Sequence, residues 1–361
     1  MRLRVLVTGS QGFVGRHVMS YLSGHGFEPI GTDVAAGADV VGSIVDASFV
    51  NDKLSRLDFQ AIVHLAGIAD IKKTIEDPYS CYQVNCFGTL NALELAAKKR
   101  VKRFVYPSSA NVYGAPKTNP VIEEHAMGPR VPYDYSKLVG ENFAMSYFKT
   151  KGVPVSITRA WLLIGEYDHP SRAVPFFIRK CLKNEPVGLF NSGKDVTSPS
   201  HAANFAKLVA KILEKEASVG QAFNFGGAEN LSIRELAERV KRLTRSSSEL
   251  QMLPPRSPAE KDPQVSYPST EKMKKLLGYD YDLSLDEGLK RQSGGDMVVF
   301  GGARFAQTLS RLGLVDEYRL KLQSVALGSG LPLFKSRVDL KLVKSKAFKS
   351  GVVALYYQPA K

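Results

Sequence analysis

The chain has 361 residues, of which 44% are hydrophobic and 23% charged, the make-up of an ordinary globular protein of about two domains. No apolar run approaches the roughly 18 to 20 residues of a membrane span, and Met1-Arg2-Leu3-Arg4 leads into a strand instead of a secretory leader, so a cytoplasmic location and no membrane partner are expected. The net charge of +14 raises nucleic acid as a partner, but Lys and Arg are dispersed with no dense basic block among aromatics; nucleic acid is not expected, and anionic nucleotide substrates account for a basic surface equally well.

In chain order, the pattern predicts a strand from Arg4 to Thr8, a helix from Gly12 to Ser23, a strand from Glu28 to Asp33 and another from Ala61 to Leu65. A helix from Leu90 to Lys99, a strand from Arg103 to Pro107, a long helix from Tyr133 to Lys149 and a strand from Val153 to Arg159 follow. Alternation over about six βα units predicts an α/β fold, a Rossmann-type doubly wound parallel sheet. Cys81, Cys86 and Cys181 are odd in number and lack paired CxxC spacing, so neither a disulfide framework nor a metal site is expected, and buried free thiols are.

Between the first strand and helix stands Val7-Thr8-Gly9-Ser10-Gln11-Gly12-Phe13-Val14-Gly15, with glycines spaced G-x-x-G-x-x-G. Gly9 allows a tight turn, Gly12 lets the backbone approach a pyrophosphate, and Gly15 lets helix pack on strand, with the helix N-terminus facing the negative charge. About 20 residues on, Asp33 ends the second strand, where a carboxylate accepts hydrogen bonds from ribose hydroxyls and repels a 2′-phosphate. No Arg follows it, which favours NAD over NADP.

Further on, Tyr133-Asp134-Tyr135-Ser136-Lys137 places a Tyr and a Lys one helical turn apart on one face. A phenol near pKa 10 is a poor base at neutral pH, and a neighbouring ammonium stabilises its phenolate, so Lys137 is expected to lower Tyr133. Upstream, Ser108-Ser109-Ala110-Asn111-Val112-Tyr113-Gly114 follows a strand end, where such sheets place their ligands.

In this order the motifs resemble the extended short-chain dehydrogenases, a family that includes nucleotide-sugar epimerases, dehydratases and ketoreductases. His64-Leu65-Ala66-Gly67, Val84-Asn85-Cys86-Phe87-Gly88-Thr89, Phe223-Asn224-Phe225-Gly226-Gly227 and Ser232-Ile233-Arg234-Glu235-Leu236, the last a capping box, extend the match to about residue 292. The resemblance implies that Ser109 orients the reacting hydroxyl, Tyr133 exchanges its proton and Lys137 tunes Tyr133 and holds the nicotinamide ribose. It assigns NAD contacts to Gly9, Gln11, Gly12, Phe13, Val14, Gly15, Asp33, Leu65, Ala66, Gly67, Asn85, Tyr133 and Lys137. It also implies a homodimer through the helices holding Asn85 to Lys99 and Tyr133 to Lys149, an NAD-binding core at about 1–165 and 205–225, and a small substrate lobe at about 166–204 and 226–292.

Family dehydratases carry a Thr-Asp-Glu-like stretch at the catalytic serine, because eliminating water needs an extra acid and base. Ser109-Ala110-Asn111 has no carboxylate there, which disfavours dehydration and leaves epimerisation or carbonyl reduction of a sugar or nucleotide-sugar. Two departures bear on the substrate. The Arg-Asp-Phe-like segment whose Arg grips a diphosphate is replaced by Thr197-Ser198-Pro199-Ser200-His201-Ala202-Ala203-Asn204, and the usual Asn after the sixth strand is hydrophobic in Trp161-Leu162-Leu163. His201 reads as a satisfied surface or supporting residue. The other readings are a noncatalytic NAD- or RNA-binding protein of this fold and a dehydrogenase of a non-sugar alcohol.

After Gln292 the character changes. Asp296 to Ala303, Leu312 to Leu320, Leu327 to Phe334 and Ser350 to Tyr357 resemble the C-terminal part of a dihydrofolate-reductase-like domain of riboflavin-pathway reductases, in which paired glycines such as Gly301 and Gly302 approach NADPH phosphates. A complete domain of that type is over twice as long, so residues 293–361 are expected to be an inert add-on or fusion scar, at most a strand, a helix and a hairpin, with a bifunctional reductase as the sharper alternative. With 11 basic and 4 acidic residues, the tail supplies +7 of the +14 charge.

Overall fold

The computed structural model describes residues 2–255 and 264–292 and, beyond them, 307, 310, 315, 318–322, 334, 337–347 and 352–360. The chain divides into two compact units, Met1–Gly294 and Gly295–Lys361.

In the first unit β1 (Leu3–Thr8) leads through a glycine-rich turn to α1 (Phe13–Gly24), β2 (Phe27–Asp33), β3 (Val40–Val41), α2 (Ala47–Asp52) and β4 (Ala61–His64). Short α3 (Ile71–Glu76) and α4 (Pro78–Tyr82) pass through a π turn (Gln83–Phe87) into α5 (Gly88–Lys99), followed by β5 (Arg103–Ser109), α6 (Pro132–Lys151), β6 (Val155–Ala160) and β7 (Leu163–Ile164). Then come α7 (Ala173–Leu182), β8 (Val187–Leu189), β9 (Val196–Thr197), β10 (Ser200–His201), α8 (Ala202–Glu214), β11 (Ala222–Phe225), β12 (Leu231–Ser232), α9 (Ile233–Leu243), β13 (Leu250–Met252), α10 (Glu271–Leu277) and α11 (Leu285–Arg291).

Seven parallel strands form the main sheet in the order β11-β6-β5-β4-β1-β2-β3. The doubly wound fold is therefore present. β1, β4 and β5 are runs of buried apolar residues because helices cover both faces of the sheet. One face packs Val5, Val7, Val63 and Phe223 against Val18 and Leu22 of α1 and Phe205, Leu208 and Val209 of α8. The other packs Leu6, Ile62 and Phe104 against Leu93 and Ala96 of α5 and Ala144 of α6. Chain order reverses at the neighbours β1 and β4, the switch point outside which such sheets take ligands.

A separate core of Val174, Phe177, Val187, Leu189, Leu236, Val240, Leu285 and Leu289 holds α7, β8, α9 and α11 together, drawn from the stretch expected to form the substrate lobe. Helix α9 starts on the capping box read from the sequence: Ser232 Oγ accepts from Glu235 N at 3.1 Å and Ser232 N donates to Glu235 Oε2 at 2.7 Å. The three thiols are free and buried, and burial pushes Cys86 up to about 11. Among the described residues no helix is long and apolar enough to cross a membrane.

In the second unit β14 (Tyr318–Leu322), β15 (Leu340–Ala347) and β16 (Val353–Pro359) form an antiparallel sheet ordered β14-β16-β15. Gly301 and Gly302 lie outside the described residues.

Candidate active site

The cofactor side is built by the turn after β1. Gly9 has φ +68°, and a Cβ on it would stand 2.7 Å from Ala66 N, so the loops leaving β1 and β4 touch only because Gly9 has no side chain. A Cβ on Gly15 would fall 2.0 Å from Gly9 O, which makes Gly15 the contact seating α1 on the turn. Gly12 caps α1 with no side chain satisfying its first N–H groups, leaving Phe13 and Val14 in an uncapped first turn of a 12-residue helix. Asp33 ties this loop to β2, its Oδ2 accepting from Gln11 N at 2.9 Å and its Oδ1 from Ala35 N at 3.0 Å. An uncapped helix start, a backbone bare of Cβ at Gly12 and a carboxylate at the strand end fit the pyrophosphate and ribose of NAD.

Leu65, Ala66 and Gly67 follow β4 at the switch point. Buried Asn85 holds this loop: its Oδ1 accepts from Ile68 N at 2.7 Å, and its Nδ2 donates to Ile68 O at 3.0 Å and Ser136 Oγ at 2.9 Å. Asn85 thus joins the wall after β4 to the first turn of α6. The adjoining His64 is buried between Thr8 Oγ1 at 2.8 Å and Thr89 Oγ1 at 3.2 Å, and burial pushes it down to about 3, so it stays neutral.

Pro132 at the first position of α6 and Asp134, whose Oδ2 accepts from Arg130 N at 3.0 Å and Val131 N at 3.3 Å, fix where the helix begins. That places Tyr133 in the first turn and Lys137 one turn on, against the end of β5. Ser109 caps the short turn Ala110–Tyr113 by accepting from Asn111 N at 3.2 Å. Lys137 Nζ donates to Pro107 O at 2.9 Å and lies 5.2 Å from the Tyr106 ring centroid. Ser109 and Tyr133 thus lie near one another, and Lys137 Nζ rests on the backbone of the same strand, β5.

Tyr133 and Lys137 are half-buried, while the surrounding protein strips water from their titrating atoms. Burial raises the Tyr133 phenol, against the pull of the Ser109 hydrogen bond and of the Arg172 charge. The expected lowering of Tyr133 by the Lys137 ammonium is not seen: the phenol is raised, and Lys137 is not among the charges acting on it. Here the ammonium rests on Pro107 O, and burial brings it down to about 8, with the Glu141 carboxylate acting in the opposite direction.

Arg172 carries no sequence signal. It stands just before α7, its guanidinium 5.9 Å from the Phe13 ring centroid and 3.2 Å from buried Asp168 Oδ1. The stretch from Thr197 to Asn204 is spent on internal bonds. Asn204 Nδ2 donates to Leu283 O at 2.9 Å, Ser198 Oγ to Gly227 O at 3.2 Å, and His201 Nε2 meets Glu166 Oε2 at 2.9 Å. His201 is satisfied as expected, but it is fully buried and not at the surface.

A seven-stranded doubly wound sheet with a glycine-rich turn at its switch point defines a dinucleotide-binding enzyme. The model of the NAD dependent epimerase/dehydratase family matches residues 5–226, and a model of the RibD C-terminal domain matches 270–354. UDP-glucuronic acid decarboxylase 1 of Danio rerio is 31% identical over 306 residues, covering 80% of this chain and 72% of its own. The crystal structure of UDP-glucose 4-epimerase with UDP-glucose from Thermotoga maritima superimposes with a TM-score of 0.75 at 26% identity, over 80% of this chain and 97% of that one. UDP-glucose 4-epimerase from Brucella ovis in complex with NAD gives 0.73 at 25% identity, over 81% and 97%. The chain belongs to the NAD dependent epimerase/dehydratase family, NAD-using enzymes of the extended short-chain dehydrogenase type.

Proposed function

We propose that the chain is a nucleotide-sugar epimerase or ketoreductase, with epimerisation at a secondary alcohol the preferred reading. The observation that supports it is Ser109 beside Tyr133, with Lys137 Nζ on Pro107 O, at the end of β5. Bound NAD supplies the hydride acceptor and returns the hydride. Tyr133 takes the proton of the sugar hydroxyl as the carbon beside it loses hydride, and gives that proton back to the oxygen when the carbonyl is reduced from its other face. Ser109 holds that oxygen. Lys137, brought down to about 8 by burial and still charged at neutral pH, is read as the group that holds the nicotinamide ribose. Buried Ala110 and uncharged Asn111 offer no acid to expel water, which supports epimerisation over dehydration. Incubation with UDP-glucose, UDP-glucuronic acid and dTDP-glucose, read by mass and proton NMR, tests the reading. Product of unchanged mass supports it; loss of water or of carbon dioxide assigns the chain to a different reaction.

Arg172 stands in for the absent diphosphate arginine, because its charge reaches Tyr133 from the lobe side while its side chain stays 45% exposed. Arg172→Ala is expected to raise KM about 10-fold or more with kcat within about threefold, as for loss of a charged hydrogen bond. An unchanged KM in steady-state assays would remove Arg172 from the substrate site.

We also read the chain as a homodimer through the α4–α6 face, where Tyr79, Phe87 and Tyr135 are 76%, 60% and 48% exposed. Light scattering is expected to give a dimer for the wild type and a monomer for Phe87→Glu. Residues 293–361 are read as an add-on with no chemistry of its own.

A further inference from the structure

Outside the catalytic centre, three ligand-type side chains from distant stretches converge: His17 on α1, Glu166 just after β7 and His201 of β10. One donor atom of each lies within 4.8 Å of the other two. His201 Nε2 is 2.9 Å and His17 Nε2 3.6 Å from the same carboxylate oxygen, Glu166 Oε2, and the two imidazole centroids are 5.2 Å apart. Independently, Gly165 has φ +151°, and a Cβ on it would stand 3.0 Å from His17 Nε2 and 3.1 Å from His201 Nε2. Its lack of a side chain leaves room bordered by both nitrogens at once, with the Phe13 ring edge 3.3 Å away as an apolar wall.

We propose that His17, Glu166 and His201 form a binding site for a divalent transition metal of the Zn2+ class, tying α1 to the start of the 166–204 stretch and to β10 near its end. Two imidazoles and one carboxylate are a donor set for Zn2+ and its neighbours, not for Mg2+ or Ca2+, which take oxygen. Coordination has two definite costs, the first being the hydrogen bond of His17 Nε2 to Glu166 O at 3.0 Å, which a metal on that nitrogen displaces. His201 Nδ1 now accepts from Ala203 N at 3.2 Å, capping α8, and a metal on Nε2 moves the ring proton to Nδ1 and releases that cap. Affinity is therefore expected at the micromolar level. No short-range Cys or His spacing announces this site, because its members are 35 or more residues apart, as with His201 and Glu166. It is independent of the substrate reading above.

The test is calorimetric titration of the metal-stripped full chain with ZnCl2, with Co2+ absorption as the geometric readout. One Zn2+ per chain, a Tm rise of roughly 5 °C at saturating Zn2+, Co2+ bands of a four-coordinate site and no response to Mg2+ are expected. Glu166→Gln and His201→Gln, each melting like wild type in EDTA, are expected to weaken Zn2+ at least 10-fold. If either variant fails to fold, the wild-type Co2+ spectrum still decides: one unchanged from the hexaaqua ion overturns the proposal. So does equal Zn2+ affinity in the folded variants, or no binding at millimolar Zn2+.

Discussion

Replacing Tyr133 with Phe is expected to lower kcat by about 10³-fold, within the range for loss of a positioned acid or base. The substitution removes one oxygen and leaves the ring, so the first turn of α6, set by Pro132 and the Asp134 cap, is undisturbed. NAD affinity by calorimetry should stay within about threefold, since the glycine turn and Asp33 lie on other elements. The phenol at this place is enclosed enough for burial to raise it, and Ser109 and Arg172 act in the opposite direction. A group so held keeps its proton at rest, so it must first lose that proton, helped by the Arg172 charge, before it can take one from the sugar and later return it. A variant retaining more than about a tenth of wild-type kcat would show that another group carries the proton.

Arg159→Met is expected to destabilise the first unit by about 3 to 5 kcal/mol, a fall in Tm of roughly 10 °C by thermal melting. Arg159 lies on β6 and grips Glu141 of α6 at 3.0 Å and 2.8 Å, with both side chains almost fully buried. It also donates to Tyr113 Oη at 2.6 Å and Glu123 O at 2.8 Å, and Tyr113 in turn donates to Asn224 Oδ1 at 2.7 Å on β11. Removing the cation strands a buried carboxylate and several acceptors. The double variant Arg159→Met with Glu141→Met should recover most of the loss, because paired apolar groups leave no stranded charge. A single variant that loses less than about 1 kcal/mol would show that water reaches Glu141 and that the network is not closed.

The glycine turn, Asp33 and the Tyr133–Lys137 pair were legible because each is a local spacing whose meaning survives without knowing the fold. The large strands were legible as well, since burial on both faces makes them continuous apolar runs. Two-residue strands such as β3 and β7 carry no such run; they exist because neighbouring strands offer hydrogen bonds. Asn85 was readable as a motif member, but its bonds to Ile68 and Ser136 depend on a π turn packing against α6. Arg172 and Glu166 were out of reach. Each acquires its neighbours only when the lobe folds back over the glycine turn, bringing Arg172 to Phe13 and Glu166 to His17.

The central claim is that a hydride leaves a sugar carbon and returns to it on one protein-bound cofactor. Proton NMR of UDP-glucose incubated with the wild-type chain and NAD far below the sugar concentration tests it most directly. A second nucleotide-sugar of equal mass is expected, accumulating over many turnovers per NAD with no net NADH, and none with Tyr133→Phe. Tight NAD binding with no conversion of UDP-glucose or any other nucleotide-sugar tried would contradict it.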